Sequence, residues 1–356
     1  MEVGAISSSR SPNSLRADTD DEEVADQINN LTYDDMNPKR DFIGAPETSP
    51  FRLEKWEPGK YAKLVANPES REGRPYLDAI EIQMGRTPRE RLLGLELGKT
   101  DLAQLPPQMA REAMDHRVRV SLSLPDELLA LVFPAGRAAT EDARVREALA
   151  AAIDRASIVN FILQKNGEAA GGLLPQWSSG TAFLFPTAAD PDRAKELWTQ
   201  IASAPKLTLR YDSGDPLEQS VAERIAVNAR EAGISVTAQA VQAGAPAAGV
   251  DALLMRLRMA SPAPRAALAN FLSVLGPVAN IDASPLPDPA TPQDIYDRER
   301  AAISSGRVAP LVWLPQVYGL SARVRNWKAP GPGETWPLAD VWLDIPAEAA
   351  SEKEKK

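Results

Sequence analysis

The chain has no cysteine, which removes disulfides, thiolate metal centres and thiol nucleophiles together. That absence is compatible with an oxidising compartment without requiring one. It has a single histidine, His116, so a histidine-rich metal site cannot be built, and a serine–histidine pairing would have to run through this one imidazole. His116 follows Asp115 and precedes a strand-like run at 117–120, which marks it as a surface loop residue. No apolar run approaches the roughly 20 residues of a membrane span. A basic stripe is also missing. The net charge is −9 and the pI about 5.0, and nucleic acid is excluded as a partner because phosphate recognition needs a clustered basic face. Gly171-Gly172 lacks the lysine and helix of a phosphate loop, and the run Asp20-Asp21-Glu22-Glu23 is a solvated charge cluster rather than a metal cage. No motif calls for a cofactor.

What is present is ordinary for a globular protein: 356 residues, 44% hydrophobic and 25% charged, enough for one or two cores. The acidity is uneven. Residues 1–45 hold ten acidic side chains against four basic ones and few aromatics, the composition of a disordered leader, with a short helix possible over 22–31. This start lacks the basic opening and continuous apolar stretch of a signal peptide. Alternation of apolar and polar side chains predicts strands at 51–56, 61–66 and 77–84, with a Pro58-Gly59 turn between the first two. Short helices are expected at 89–97 and 107–114, and the apolar run 128–133 reads as a buried strand. Asp190-Pro191 is a capping residue followed by proline at the first helical position. Strand 206–211, helix 217–232 stopped by Gly233, and strand 234–241 make a strand–helix–strand unit with a right-handed crossover. A strand at 251–257, helices at 264–275 and 293–304, and a returning strand at 308–314 complete the pattern.

The most specific wording lies between residues 142 and 177. Val145, Leu149, Ala152, Ala156, Val159 and Leu163 recur at helical spacing. Asp154 can cap a second helix after a break near Ile153, and Gly167 stands where a C-terminal cap is expected. By periodicity alone this is a core-packing helix pair. Its residues Asp142, Arg144, Val145, Arg146, Ala148, Leu149, Ala152, Ile153, Asp154, Arg155, Ile158 and Val159 also follow the D-x-R-V-R-x-A-L-x-x-A-I-D-R…I-V segment of the solute-binding proteins of ABC importers, family five, the dipeptide- and oligopeptide-binding group. Further landmarks occur in the same order: Pro50-Phe51-Arg52-Leu53 with Trp56-Glu57-Pro58-Gly59, then Asn67-Pro68, Gly73-Arg74-Pro75-Tyr76-Leu77-Asp78, Gly98 with Asp101-Leu102, Leu105-Pro106-Pro107, Tyr296-Asp297-Arg298, and Asp340-Val341-Trp342. The chain resembles this family from Thr48 to Trp342.

The resemblance implies an α/β fold of the type II periplasmic-binding-protein kind, with two lobes closing on a solute and no bond chemistry. It divides the chain into a leader (1–45), a partial lobe I (46–137), lobe II (138–306), a return to lobe I (307–346) and a charged tail (347–356). Family members carry more chain ahead of the P-F-x-L opening, so lobe I is expected to be incomplete, short of strands and apolar on its exposed side. The implied partners are a small-molecule solute, ABC permease subunits and, where lobe I is incomplete, a second chain that completes it. The implied location is the periplasm, or the cytoplasm if Met1 is the true start. Cleft residues are expected at Trp313 and Tyr318 on the returning strand and at Trp177 in the loop after Pro175. Peptide-binding members carry an aspartate in a W-x-A-D-Y-x-x-P segment that holds the peptide ammonium. Here the matching residue is Ala260, with Arg258 nearby as a group that favours an anion. The alternative is a degenerate binding-protein domain that serves as a protein-interaction module.

Overall fold

The computed structural model describes residues 13–19, 49–71, 73–179, 185–242 and 249–344. The chain divides into two compact units. The first comprises residues 1–122, 317–330 and 335–356, and the second residues 123–316 and 331–334.

The first unit is built on β1 (Ser14–Asp18), β2 (Phe51–Glu57), β3 (Tyr61–Ala66), β4 (Ala79–Gln83) and β5 (Leu102–Leu105). β2 and β3 form the hairpin that the Pro58-Gly59 turn predicts, with Gly59 at a φ of 66°. β3 continues antiparallel onto β4. β1 lies between β4 and β5 and is parallel to both. This corrects the expectation of a disordered leader up to residue 45. Leu15 and Ala17 are fully buried, Ser14 and Arg16 alternate with them and are half-buried, and Asp18 at the strand end is itself enclosed. The period-two signal is real, but only five residues long. The middle of this sheet is therefore filled by the chain itself. The helix expected at 22–31 and the charged tail lie outside the described residues.

A long strand, β6 (Arg119–Val132), starts in the first unit and ends in the second. The second unit adds the short β7 (Glu168–Ala169), then β8 (Leu207–Asp212), β9 (Val236–Val241) and β10 (Ala252–Arg258). β11 (Val308–Leu320) starts in the second unit and returns to the first, where β12 (Val324–Arg325) and β13 (Trp342–Leu343) pair with each other. Strand order is β2-β3-β4-β1-β5-β11 in the first unit and β11-β6-β10-β8-β9 in the second. The crossovers expected over 206–257 are present, with β8 parallel to both β9 and β10. The unit boundaries fall in mid-strand, at 122/123 and 316/317, and not in the loops near 137 and 306. Both crossing strands are about twice as long as their apolar runs suggest, because Arg119, Ser121, Ser123 and Pro125 dilute the apolar signal of β6.

Four helices share one device, a capping side chain followed by proline at the first helical position. Thr87 caps Pro88–Glu96 and Thr291 caps Pro292–Ser304, each through a reciprocal capping box. Asp190 caps Pro191–Thr199, and Asp215 caps Pro216–Glu231. Two apolar clusters, one holding Leu129, Leu131 and Phe133 and the other Leu128, Ala130 and Val132, occupy opposite faces of β6 in the second unit.

Candidate functional site

The break expected in the 142–163 segment is present. Helix Ala143–Ala152 ends at Ile153, and Asp154 accepts from the Ser157 N–H at 3.0 Å to open the next turn. The signature side chains act as internal braces. Arg155, 7% exposed, donates to the Pro310 C=O at 2.7 Å, and burial lowers its pKa to about 10. Arg146 donates to the carbonyls of Thr140, Glu141 and Ser305. Gly167 is not a left-handed cap. Gln164 and Lys165 take the positive φ values, 51° and 69°. Gly167 instead permits close approach, since a Cβ there would lie 2.7 Å from Leu163 Cδ1 and 3.0 Å from the Trp313 carbonyl. Gly171-Gly172 wraps a buried acid. Leu174 N–H donates to Glu299 Oε1 at 2.9 Å, and a Cβ on Gly172 would meet that oxygen at 2.5 Å. Burial raises the Glu299 pKa to about 6.

Two of the four expected ligand residues converge at one end of the second unit's sheet. Trp177, half-buried, donates from Nε1 to the Pro125 C=O at 2.8 Å. Asp126 is the next residue and only 1% exposed. Its carbonyl accepts from Met259 N–H at 2.8 Å, and its Oδ1 accepts from Gln316 Nε2 at 3.2 Å. Gln316 N–H in turn donates to Ser123 Oγ at 2.9 Å. Burial pushes the Asp126 pKa up to about 6, against the opposing charge of Arg258 and the Gln316 hydrogen bond. Arg258, half-buried, closes β10 directly before Met259. Ala260 is exposed and brings no carboxylate. Its carbonyl packs against Gly333 so closely that a Cβ on that glycine would lie 2.2 Å away.

The other two are core residues, and the structure corrects their expected role. Trp313 is 3% exposed and packs on Phe271 with ring centroids 6.2 Å apart. Tyr318 is fully buried in the first unit, edge-on to Trp327 and Trp336 at 5.1 and 5.8 Å. Aromatic rings enclosed in this way offer no face for stacking.

Sequence reasoning missed Asp126, Gln316 and the ion cluster beside them. Arg256 pairs with Glu127 at 2.6 Å and Asp215 at 2.5 Å, with Glu218 at 3.9 Å. Burial works to lower the Arg256 pKa, but these acids outweigh it and hold the pKa above its ordinary value. Burial raises Glu218 to about 7, although the Asp212 N–H bonded to it opposes the shift. An available signal was the pair Asp126-Glu127 immediately before an unbroken apolar run. Charge at that position has to be paired or desolvated. His116, read as a surface residue, is exposed and contacts Glu96 Oε1 through Nδ1 at 2.5 Å. Among the described residues no group of acidic or histidine side chains could hold a metal ion, and no helix is long and apolar enough to cross a membrane.

Residues 14–276 match the bacterial extracellular solute-binding proteins, family 5 Middle, and the chain belongs to this family. The match begins at β1, ahead of the opening motif at Pro50. The chain is 31% identical over 150 residues to the oligopeptide-binding protein AppA of Bacillus subtilis (strain 168), covering 40% of this chain and 26% of that protein. It is 27% identical over 181 residues to the probable D,D-dipeptide-binding periplasmic protein DdpA of Escherichia coli (strain K12), covering 49% and 35%. Among solved structures it matches the ABC transporter substrate-binding protein CtaP of Listeria monocytogenes with a TM-score of 0.71 at 19% identity. That match covers 83% of this chain and 66% of the other. The fold is the two-unit α/β fold of such proteins. The aligned regions span about a quarter to a third of the curated relatives' length and two thirds of the solved chain.

Proposed function

We propose that the chain is the substrate-binding component of an ABC importer. In this reading it acts outside the cytoplasmic membrane, captures a small solute between its lobes in the manner of its family, presents it to permease subunits and catalyses no reaction. The observation that carries the reading is the family match over 14–276, supported by two α/β units joined by the crossing strands β6 and β11.

For the ligand, the supporting chemistry is at the end of β10 and beside Pro125. Ala260 supplies no acid for a peptide ammonium, and the nearby acid, Asp126, is buried and already engaged by Gln316. The partly exposed groups are an indole, Trp177, and a guanidinium, Arg258. This combination fits a small solute with an apolar or aromatic body and a carboxylate better than a free peptide. Calorimetry with aromatic and aliphatic carboxylates, run beside a di- and oligopeptide mixture, tests the assignment. The carboxylates are expected to bind, and Arg258→Ala is expected to weaken them by about tenfold or more, the loss of one charge-assisted pair. Submicromolar binding of peptides, lost when their amino terminus is acetylated, would refute the ligand class while leaving the transport reading in place.

A further inference from the structure

β9 ends the strand order of the second unit and, among the described residues, pairs only with β8. Its backbone polarity can be assigned. Leu207 N–H donates to the Ser235 C=O and Ser213 N–H to the Val241 C=O, so the odd-numbered residues of β9 face β8. Amide groups alternate sides along a strand, so those of Val236, Ala238 and Ala240 point away from the sheet. An open edge is normally blunted by lysine, proline or an inward-pointing charge. Here residues 232–250 contain no charged side chain and no histidine, and β9 reads V-T-A-Q-A-V without proline. Thr237, Gln239 and Ala240 are exposed. A groove of about 570 Å³ runs beside the strand, lined by Ala226 and Arg230 of helix Pro216–Glu231 and by Ile234, Val236 and Ala238.

We infer that β9 is a self-pairing edge that joins two copies of this chain into an antiparallel, edge-to-edge dimer. A two-fold axis through Gln239 sets Thr237 against Val241 and Ala238 against Ala240. Both pairs are separated by an even number of residues, so each keeps its side chains on one face of the joined sheet. The outward amides of Ala238 and Ala240 then hydrogen-bond across the axis, and the two Gln239 side chains meet at a closely spaced position. The small side chains of Ala238 and Ala240 place no bulk in the way, and the groove leaves room for the partner's side chains. A peptide of different sequence could use the same edge, but a charge-free, nearly palindromic strand is complementary to itself. One such edge per copy closes the assembly at two.

Sedimentation equilibrium on the full chain, from low to high micromolar concentration, is expected to show a monomer–dimer equilibrium. Gln239→Lys sets two ammonium groups opposite each other, and Gln239→Glu sets two carboxylates. Each is expected to raise the dimer dissociation constant by roughly fivefold or more. Because Gln239 is exposed, both variants should melt like the parent. Mixed in equal amounts they place Lys opposite Glu and are expected to recover the dimer. Four outcomes overturn the inference: a monomer at every concentration, a dimer indifferent to both substitutions, open-ended assembly, or variants that stay monomeric when mixed.

Discussion

Asp126 concentrates the electrostatics of the candidate site in one carboxyl group. Its folded pKa is about 6, against an ordinary 3.8, so between these values the native state holds a proton that the unfolded chain has released. For a raised acid the contribution to stability is present at low pH and is lost as pH rises through the folded value. Asp126→Asn keeps the shape and an acceptor for Gln316 but never ionises. It is expected to stabilise the protein above about pH 7 by roughly 1–3 kcal/mol, the advantage fading as pH falls through about 6 towards 4. Chemical denaturation of both proteins across that range checks it, and a gap that widens on acidification contradicts it. Gly172 provides a second residue-level expectation. An added methyl group would press on Glu299 Oε1 at 2.5 Å, so Gly172→Ala is expected to cost about 1–3 kcal/mol, read from the denaturation midpoint. The signature residues Arg146 and Arg155 were legible in the sequence as a family pattern. Their work, bracing carbonyls at Pro310 and Ser305, was not, because those partners lie some 155 residues away. Trp313 and Tyr318 misled for a related reason. An aromatic on a returning strand carries no mark of which way it faces.

The elements were easier to read where a turn or cap announced them. The β2–β3 hairpin, the helices begun by Pro88, Pro191, Pro216 and Pro292, and the break at Ile153 all follow from local chemistry. β1 did not, since five residues in a serine-rich context provide too short an alternation, although Leu15 is fully enclosed. Its role is nonetheless central. Asp101, 1% exposed, accepts from both Arg16 N–H and Arg16 Nε at 3.2 Å and from Ser321 Oγ at 3.1 Å, so one carboxylate ties β1 to the start of β5 and the end of β11. Leu15→Ala is expected to lose about 2–5 kcal/mol. Guanidinium melts read by tryptophan fluorescence would show the loss, with Trp327 and Trp336 reporting on the same apolar cluster. A change within error would mean that β1 contributes little to this sheet.

At the scale of the whole molecule, the second unit is almost contiguous in sequence and the first is not. The first unit's core unites Leu15 and Ile80 with Tyr318, Leu320, Val324, Val341 and Leu343. A fragment of residues 123–316 carries both apolar clusters of the second unit and is expected to unfold cooperatively in a thermal melt. A fragment of residues 1–122 lacks the β11 partner of β5 and is expected to give no cooperative transition. The opposite pair of results would mean that the unit boundaries are misplaced. The arrangement also sets a timetable for synthesis. A nascent chain emits β1 to β5 first and then makes some two hundred more residues before β11 leaves the ribosome. Domains commonly fold in the order of their synthesis, but here the first-made sheet waits with its β5 edge open while the later-made unit assembles. Of the two units, the one whose strands are made first is thus the last to be completed.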